Sequence, residues 1–97
     1  MSTPQSGART GRVTAGPGGA MTVEVGVITG DLTVTTTDRG DGTAGVSVQY
    51  TGAEDHYALE GSPAPIPPGG LDALHEAVLD AVRTGDAAQV PGTLPGS

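Results

Sequence analysis

The chain has 97 residues, a formal net charge of −7, no Cys, and 17 Gly together with 8 Pro. This length allows one small domain, and the lack of Cys excludes disulfides, thiolate catalysis and Cys-ligated zinc. Because like charges repel, the acidic balance argues against nucleic acid or an anionic membrane as the main partner. No apolar stretch approaches the roughly 20 residues of a membrane span. We therefore expect a cytoplasmic protein. The abundance of Gly and Ala, with Arg but no Lys among the basic residues, is typical of a GC-rich bacterial genome.

Both ends of the chain lack hydrophobic periodicity. Residues 1–20 contain one sizeable aliphatic side chain after the initial Met, Val13. Residues 86–97 contain Pro91 and Pro95 and no repeating apolar pattern. We predict disordered tails over 1–20 and 86–97, with the domain between them at 21–85.

The segment 21–28 alternates in hydrophobicity with a period of two, which is typical of a half-buried strand. A second alternating segment follows at 32–37. A two-residue turn at 29–30 brings the apolar residues of both strands onto one face, as the pleat of a sheet requires. The pairs predicted by this register are Val27 with Leu32, Val25 with Val34 and Val23 with Thr36.

Two further strands are predicted at 46–50 and 57–59. A two-residue turn at Asp41-Gly42 would scramble the faces, so we predict a three-residue loop at 40–42. The pairs predicted by the two loops are Val34 with Val48, Thr36 with Val46, Tyr50 with Tyr57 and Val48 with Leu59. Residues 61–70 contain four prolines, which remove donors and fix φ, so we expect neither strand nor helix there.

A helix is predicted over 71–84, because apolar residues recur at intervals of three and four. Gly85 is well placed to end it. The predicted buried positions are Leu71, Leu74, Val78, Ala81 and Val82, and the opposite face carries Asp72, Glu76 and Asp80. The fold class is therefore α+β: a four-stranded antiparallel meander with one C-terminal helix packed on one face, in the order ββββα.

The residues that could carry chemistry are few. His56 follows Glu54 and Asp55 in a predicted turn, and His75 lies at the edge of the buried helix stripe. A metal site needs three or four converging ligands, and no phosphate loop or nucleophile elbow is present. We predict no catalytic, cofactor or metal site and expect a protein that is not an enzyme.

The favoured functional surface is the edge of the sheet at 21–28. This strand has no Pro and one charge, Glu24, although natural edges are usually blunted. We predict that it pairs with another protein or with a second copy as a homodimer, and that acidic residues on the helix flank set the charge of the partner. The candidate partner-binding residues are Met21, Val23, Glu24, Val25, Asp72, His75, Glu76, Leu79 and Asp80.

Two other functions remain open. The chain could be an inhibitor, immunity or antitoxin-like protein whose acidic face masks a basic site, which the net charge permits. It could also be a precursor or carrier peptide with a folded recognition part and a modified tail.

Overall fold

The computed structural model describes residues 7–91. It has antiparallel strands and one C-terminal helix, so the predicted α+β class is confirmed and the meander is approximately right. Residues 1–6 and 92–97 of the predicted tails lie outside the described residues. The elements are β1 Ala8–Thr14, β2 Ala20–Thr22, β3 Gly26–Ile28, β4 Asp31–Asp38, β5 Thr43–Tyr50, β6 Tyr57–Ala58, β7 Ala64–Pro65 and α1 Gly70–Thr84.

The centre of the main sheet is the hairpin of β4 and β5. Alternating Val and Thr favour the extended chain, and every second side chain of each strand is buried. The predicted register is confirmed, since Val34 pairs with Val48 and Thr36 with Val46. Residues 40–42 form the predicted three-residue loop. Hydrogen bonds from the hydroxyl and the N–H of Thr43 lower the pKa of Asp41 in this loop.

The predicted N-terminal tail is wrong for residues 8–14, because they form β1 beside β4. Arg9 pairs with Thr36, Gly11 with Val34 and Val13 with Leu32. Main-chain hydrogen bonds to β4 stabilise this strand, and such bonds do not require a periodic pattern of apolar side chains. β1 therefore takes the place beside β4 that was predicted for 21–28.

The predicted strand at 21–28 is two strands joined by a turn. β2 pairs with β3 as a separate two-stranded sheet, with Met21 opposite Val27. The predicted pairing with β4 is consequently wrong. The buried positions of this hairpin are Ala20, Thr22 and Ile28, whereas the valines that were predicted to face the core point to solvent.

The strand that follows β5 is displaced by two residues from the predicted register. Tyr57 pairs with Val48, and Ala58 with Ser47. In this register the N–H of Leu59 bonds to the carbonyl oxygen of Val46 at 3.0 Å, and the Leu59 side chain is fully buried. Burying the larger aliphatic side chain favours this alignment over the predicted pairing of two tyrosines.

The proline-rich connector contains a short strand that was not predicted. Ala64 of β7 pairs with Ala44, and Pro65 with Thr43. Pro is tolerated there because the strand lies at the sheet edge. Between β6 and β7, the hydroxyl of Ser62 accepts a hydrogen bond from the N–H of Val46 at 2.8 Å. The outer side of β5 is thus covered by short, interrupted pieces of chain.

The predicted C-terminal tail is wrong for its first residues. The N–H groups of Asp86, Ala87 and Ala88 bond to the carbonyl oxygens of residues 17–19. Ala88 and Val90 are each 6% exposed. Main-chain bonds order this segment, and such bonds leave no periodic signal in a sequence.

Helix α1 matches the prediction closely. It begins at Gly70, and Leu74, Val78 and Val82 are buried as predicted, whereas Leu71 and Ala81 are half-buried. Gly85 follows it with φ 85°, and its N–H bonds to the carbonyl oxygen of Ala81. Within residues 7–91, no helix is long and apolar enough to cross a bilayer.

The end of α1 rests on the chain between β1 and β2. Gly16 donates its N–H to the carbonyl oxygen of Val82 at 2.9 Å. A Cβ atom at Gly16 would overlap the carbonyl oxygens of Arg83 and Thr84. The contact therefore requires glycine at this position.

We predict that Gly16→Ala lowers the free energy of unfolding by about 3 kcal/mol, since main chain must separate to admit the methyl group. Gly45→Ala is the matched control, because a Cβ there meets only the Arg39 side chain at 4.0 Å. Urea unfolding measures both variants. Equal stability of the two variants would contradict the close packing at Gly16.

Candidate functional site

The candidate site is the tip of the β2–β3 hairpin, residues 23–27, which we name the valine turn. Thr22 closes its base. The Thr22 hydroxyl donates to the carbonyl oxygen of Gly26 at 2.6 Å and accepts from the N–H of Val25 at 3.2 Å. Gly26 adopts φ 75°, a conformation that a residue with a Cβ rarely takes. These features fix the shape of the turn locally.

The valine turn is also tied to β6. The main chain of Ala58 donates to Oε1 of Glu24 at 2.9 Å and accepts from the N–H of Val23 at 2.9 Å. Further along, Met21 donates to the carbonyl oxygen of Ala88 at 2.8 Å, and its own carbonyl oxygen accepts from Glu60. Because neighbours bond to the outer side of β2 and the chain turns after it, residues 21–28 do not form the continuous open edge that was predicted.

The valine turn exposes apolar side chains. Val23 is 56% exposed, Val25 52% and Val27 45%. Among residues 7–91, Tyr50 is the one other large apolar side chain in the exposed class. The result is a group of three exposed valines on a turn whose main chain is held by hydrogen bonds to Thr22 and Ala58.

The candidate residues of the helix lie elsewhere. His75 and Leu79 are buried over β1, where a Cβ at Gly11 would lie 3.2 Å from Nε2 of His75 and 3.3 Å from Cδ1 of Leu79. They therefore belong to the core. The hairpin instead contacts β6 and the segment after α1, so the structure does not bring the nine candidate residues together on one surface.

The acidic candidate residues of α1 differ in their partners. Asp72 forms an ion pair with Arg9 of β1, and Asp80 accepts a hydrogen bond from Arg83 at 2.6 Å. Glu76 is exposed. These exposed ion pairs contribute little to stability, so this helix flank is a charged surface and not a bonded cluster.

The two histidines lie on opposite faces of the main sheet. His75 contacts Thr36, whose side chain points toward α1. His56 lines a shallow depression of about 280 Å³ with Thr37, Ser47 and Tyr57 on the other face. Within residues 7–91, no three His, Asp or Glu side chains converge as a set of metal ligands.

Val27 is the functional candidate that sequence reasoning left out. It was assigned to the buried face of a continuous strand. The signal that could have revealed it is Gly26, since glycine inside a strand pattern often marks a bend or break.

Comparisons with protein-family models, curated proteins and solved structures find no match to this chain. The candidate site is consequently defined by its geometry and chemistry.

His75 is a buried titratable group. Its Nδ1 lies 2.9 Å from the Thr36 hydroxyl oxygen. Burial lowers the pKa of His75 below its ordinary value of 6.5; the Glu76 and Asp72 carboxylates oppose this shift, and the Arg9 guanidinium adds to it. The folded protein therefore favours the neutral imidazole.

This shift predicts how stability depends on pH. Below about pH 6.5 the unfolded chain binds a proton at His75 more readily than the folded protein does. The stability contributed by neutral His75 is therefore complete above that pH and falls as the pH drops toward the folded pKa. The slope has an upper limit of about 1.4 kcal/mol per pH unit.

Urea unfolding of wild type and of His75→Gln between about pH 5 and pH 8 tests this expectation. The variant should lose part of the acid-side slope. His56→Gln is the matched control, because it changes an exposed histidine on the other face. If wild type and His75→Gln show the same slope, the protein does not hold His75 neutral.

Proposed function

We propose that the chain is a small, non-enzymatic protein–protein interaction module that acts in the cytoplasm and binds its partner through the valine turn. The observation that carries the proposal is the exposure of Val23, Val25 and Val27 on one turn. Apolar clusters on the surface of small proteins mark interaction sites more often than scattered single residues do. A partner with a shallow apolar groove would fit this patch.

The rigidity of the turn supports the same proposal. Its bonds to Thr22 and Ala58 hold the valines in place before any partner arrives. Binding then requires little ordering of the chain, so more of the burial energy appears as affinity. Covering what remains exposed of each valine contributes about 1 kcal/mol, at roughly 25 cal/mol per Å².

The net charge of the chain favours a partner with basic residues. The chain carries −7, whereas the Glu24 carboxylate in the turn already accepts a bond from Ala58. The proposed interface therefore combines three valines with one carboxylate held by the main chain, on a chain that is acidic as a whole, which suits a partner whose apolar groove has a basic rim. An inhibitor-like or immunity-like protein that masks a basic site would instead depend mainly on the charge.

We predict that the triple variant V23T/V25T/V27T keeps the fold and loses the partner. Threonine has the same branching as valine and a hydroxyl in place of one methyl group, so the turn persists while the apolar patch is removed. V23I/V25I/V27I is the matched control, because it changes the same positions and keeps them apolar. Circular dichroism verifies that both variants are folded.

The measurement is affinity capture with the full chain as bait in an extract of the native host, read by quantitative mass spectrometry. We expect at least one protein that wild type and the Ile variant enrich and the Thr variant loses, with capture that persists at about 0.5 M salt. The purified partner should then bind at least roughly tenfold more weakly to the Thr variant. Capture that vanishes at high salt and ignores the valines would favour the masking function, and identical capture by all three baits would refute the proposal.

A further inference from the structure

Strand β1 forms an open edge of the main sheet. It is hydrogen-bonded to β4 on one side. The in-register bond from the N–H of Ala15 to the carbonyl oxygen of Gly30 shows that odd-numbered residues of β1 face β4. The main-chain groups of Thr10, Arg12 and Thr14 therefore point away from the sheet, and within residues 7–91 none of them bonds to another part of the chain. Ala8 also faces outward, and its carbonyl oxygen accepts from the Arg9 guanidinium at 3.0 Å.

The two edges of this sheet differ in how far other strands cover them. On the far side, β5 is covered by β6 and β7, which have two residues each and are interrupted at Ser62. On the near side, β1 is a regular strand of seven residues without Pro. Arg9 and Arg12 are its charged side chains, and each is already in an ion pair, with Asp72 and Asp31. Short strands and proline, two usual protections of an edge, are thus present on the far side and lacking on the near side.

We infer that β1 pairs in an antiparallel way with β1 of a second copy of this chain, about a two-fold axis at Gly11. The outward-facing residues then meet one another: Thr10 lies opposite Arg12 of the second copy, and Ala8 opposite Thr14. Gly11 lies opposite Gly11 and Arg9 opposite Val13. All seven residues of the strand take part, and no two like charges are opposed.

Other registers of the same pairing are poorer. An axis at Arg12 places two guanidinium groups directly opposite each other, which destabilises the pair. An axis at Thr10 leaves Val13 and Thr14 beyond the overlap with the second β1. Of these three axes, the one at Gly11 both pairs the full length of the strand and avoids placing like charges directly opposite each other.

The position of α1 also fits the two-fold axis. His75 contacts both Gly11 of β1 and Thr36 of β4, so the helix lies between these strands. With strands about 4.8 Å apart, the two helices of a dimer would lie about 10 Å apart on one face, a normal packing distance. Asp72 and Arg83 lie near opposite ends of the helix, so the axis brings Asp72 toward Arg83 of the second copy.

This pairing does not depend on the valine turn, which belongs to the other sheet. Two copies that each carry −7 repel at long range. Added salt screens this repulsion, so we expect dimerisation to strengthen between about 0.02 M and about 0.3 M NaCl. A basic partner on this edge would show the opposite salt dependence.

Sedimentation equilibrium of the full chain up to about 1 mM tests the inference. We expect a monomer–dimer equilibrium with a dissociation constant between about 1 μM and 1 mM, the range of a small interface. Thr10→Pro should weaken dimerisation at least roughly tenfold, because it removes an outward N–H and its ring occupies the pairing edge. Thr10→Val, which keeps the N–H, is the matched control and should dimerise like wild type.

Amide hydrogen exchange of the wild type gives an independent reading if Thr10→Pro fails to fold. The amides of Thr10, Arg12 and Thr14 should become protected as concentration rises. A wild type that stays monomeric to about 1 mM, a folded Thr10→Pro that dimerises normally, or exchange that ignores concentration would each overturn the inference. If V23T/V25T/V27T abolishes dimerisation, the contact lies at the valine turn and the inference is likewise wrong.

Discussion

The contact on which the rest of the structure depends is the seating of α1 across β1 and β4. His75 reaches Thr36 of β4 with its imidazole, and with Leu79 it covers Gly11 of β1. The chain has no Phe or Trp, and of its two tyrosines Tyr50 is exposed and Tyr57 is half-buried at the edge of the core. Few large rings are therefore available to fill the core. Instead, the helix approaches β1 closely over Gly11, so that little space is left to fill. This closeness matters because van der Waals contacts stabilise the core only when gaps are absent.

The position of α1 on β1 and β4 accounts for both surfaces to which a role is proposed, the valine turn and the outer edge of β1. With β1 under the helix, residues 20–28 are excluded from the main sheet and fold back as a separate hairpin whose tip exposes valines. The same arrangement makes β1 the terminal strand. Within the described part of the chain the outward main-chain groups of Thr10, Arg12 and Thr14 are unbonded, whereas the carbonyl oxygen of Ala8 accepts from the Arg9 guanidinium. The packing of α1 on β1 thus produces both the exposed valine turn and the free edge of β1, the two surfaces to which the proposals apply.

Sequence reasoning succeeded where side chains repeat and failed where the main chain decides. The helix and the β4–β5 register were predictable because their apolar residues recur with one period over several turns or pairs. Strand β1 was not predictable, because its inward positions are Arg9, Gly11 and Val13. A single aliphatic side chain among them cannot form a periodic pattern. Met21, Val23, Glu24 and Val25 are candidate residues on the sequence alone, but as parts of one continuous edge strand. The alternating valines do not reveal that the chain turns at Gly26.

The most direct test of the helix seating is a two-dimensional NOE spectrum of the labelled chain. If β1 lies against β4 under α1, strong cross-strand contacts join the α-protons of Thr10 and Thr35 and those of Arg12 and Thr33, which are the close, non-hydrogen-bonded pairs of the ladder. Contacts from the His75 ring to the α-protons of Gly11 should accompany them. Random-coil shifts over 8–14 with none of these contacts would contradict the fold and both surfaces derived from it.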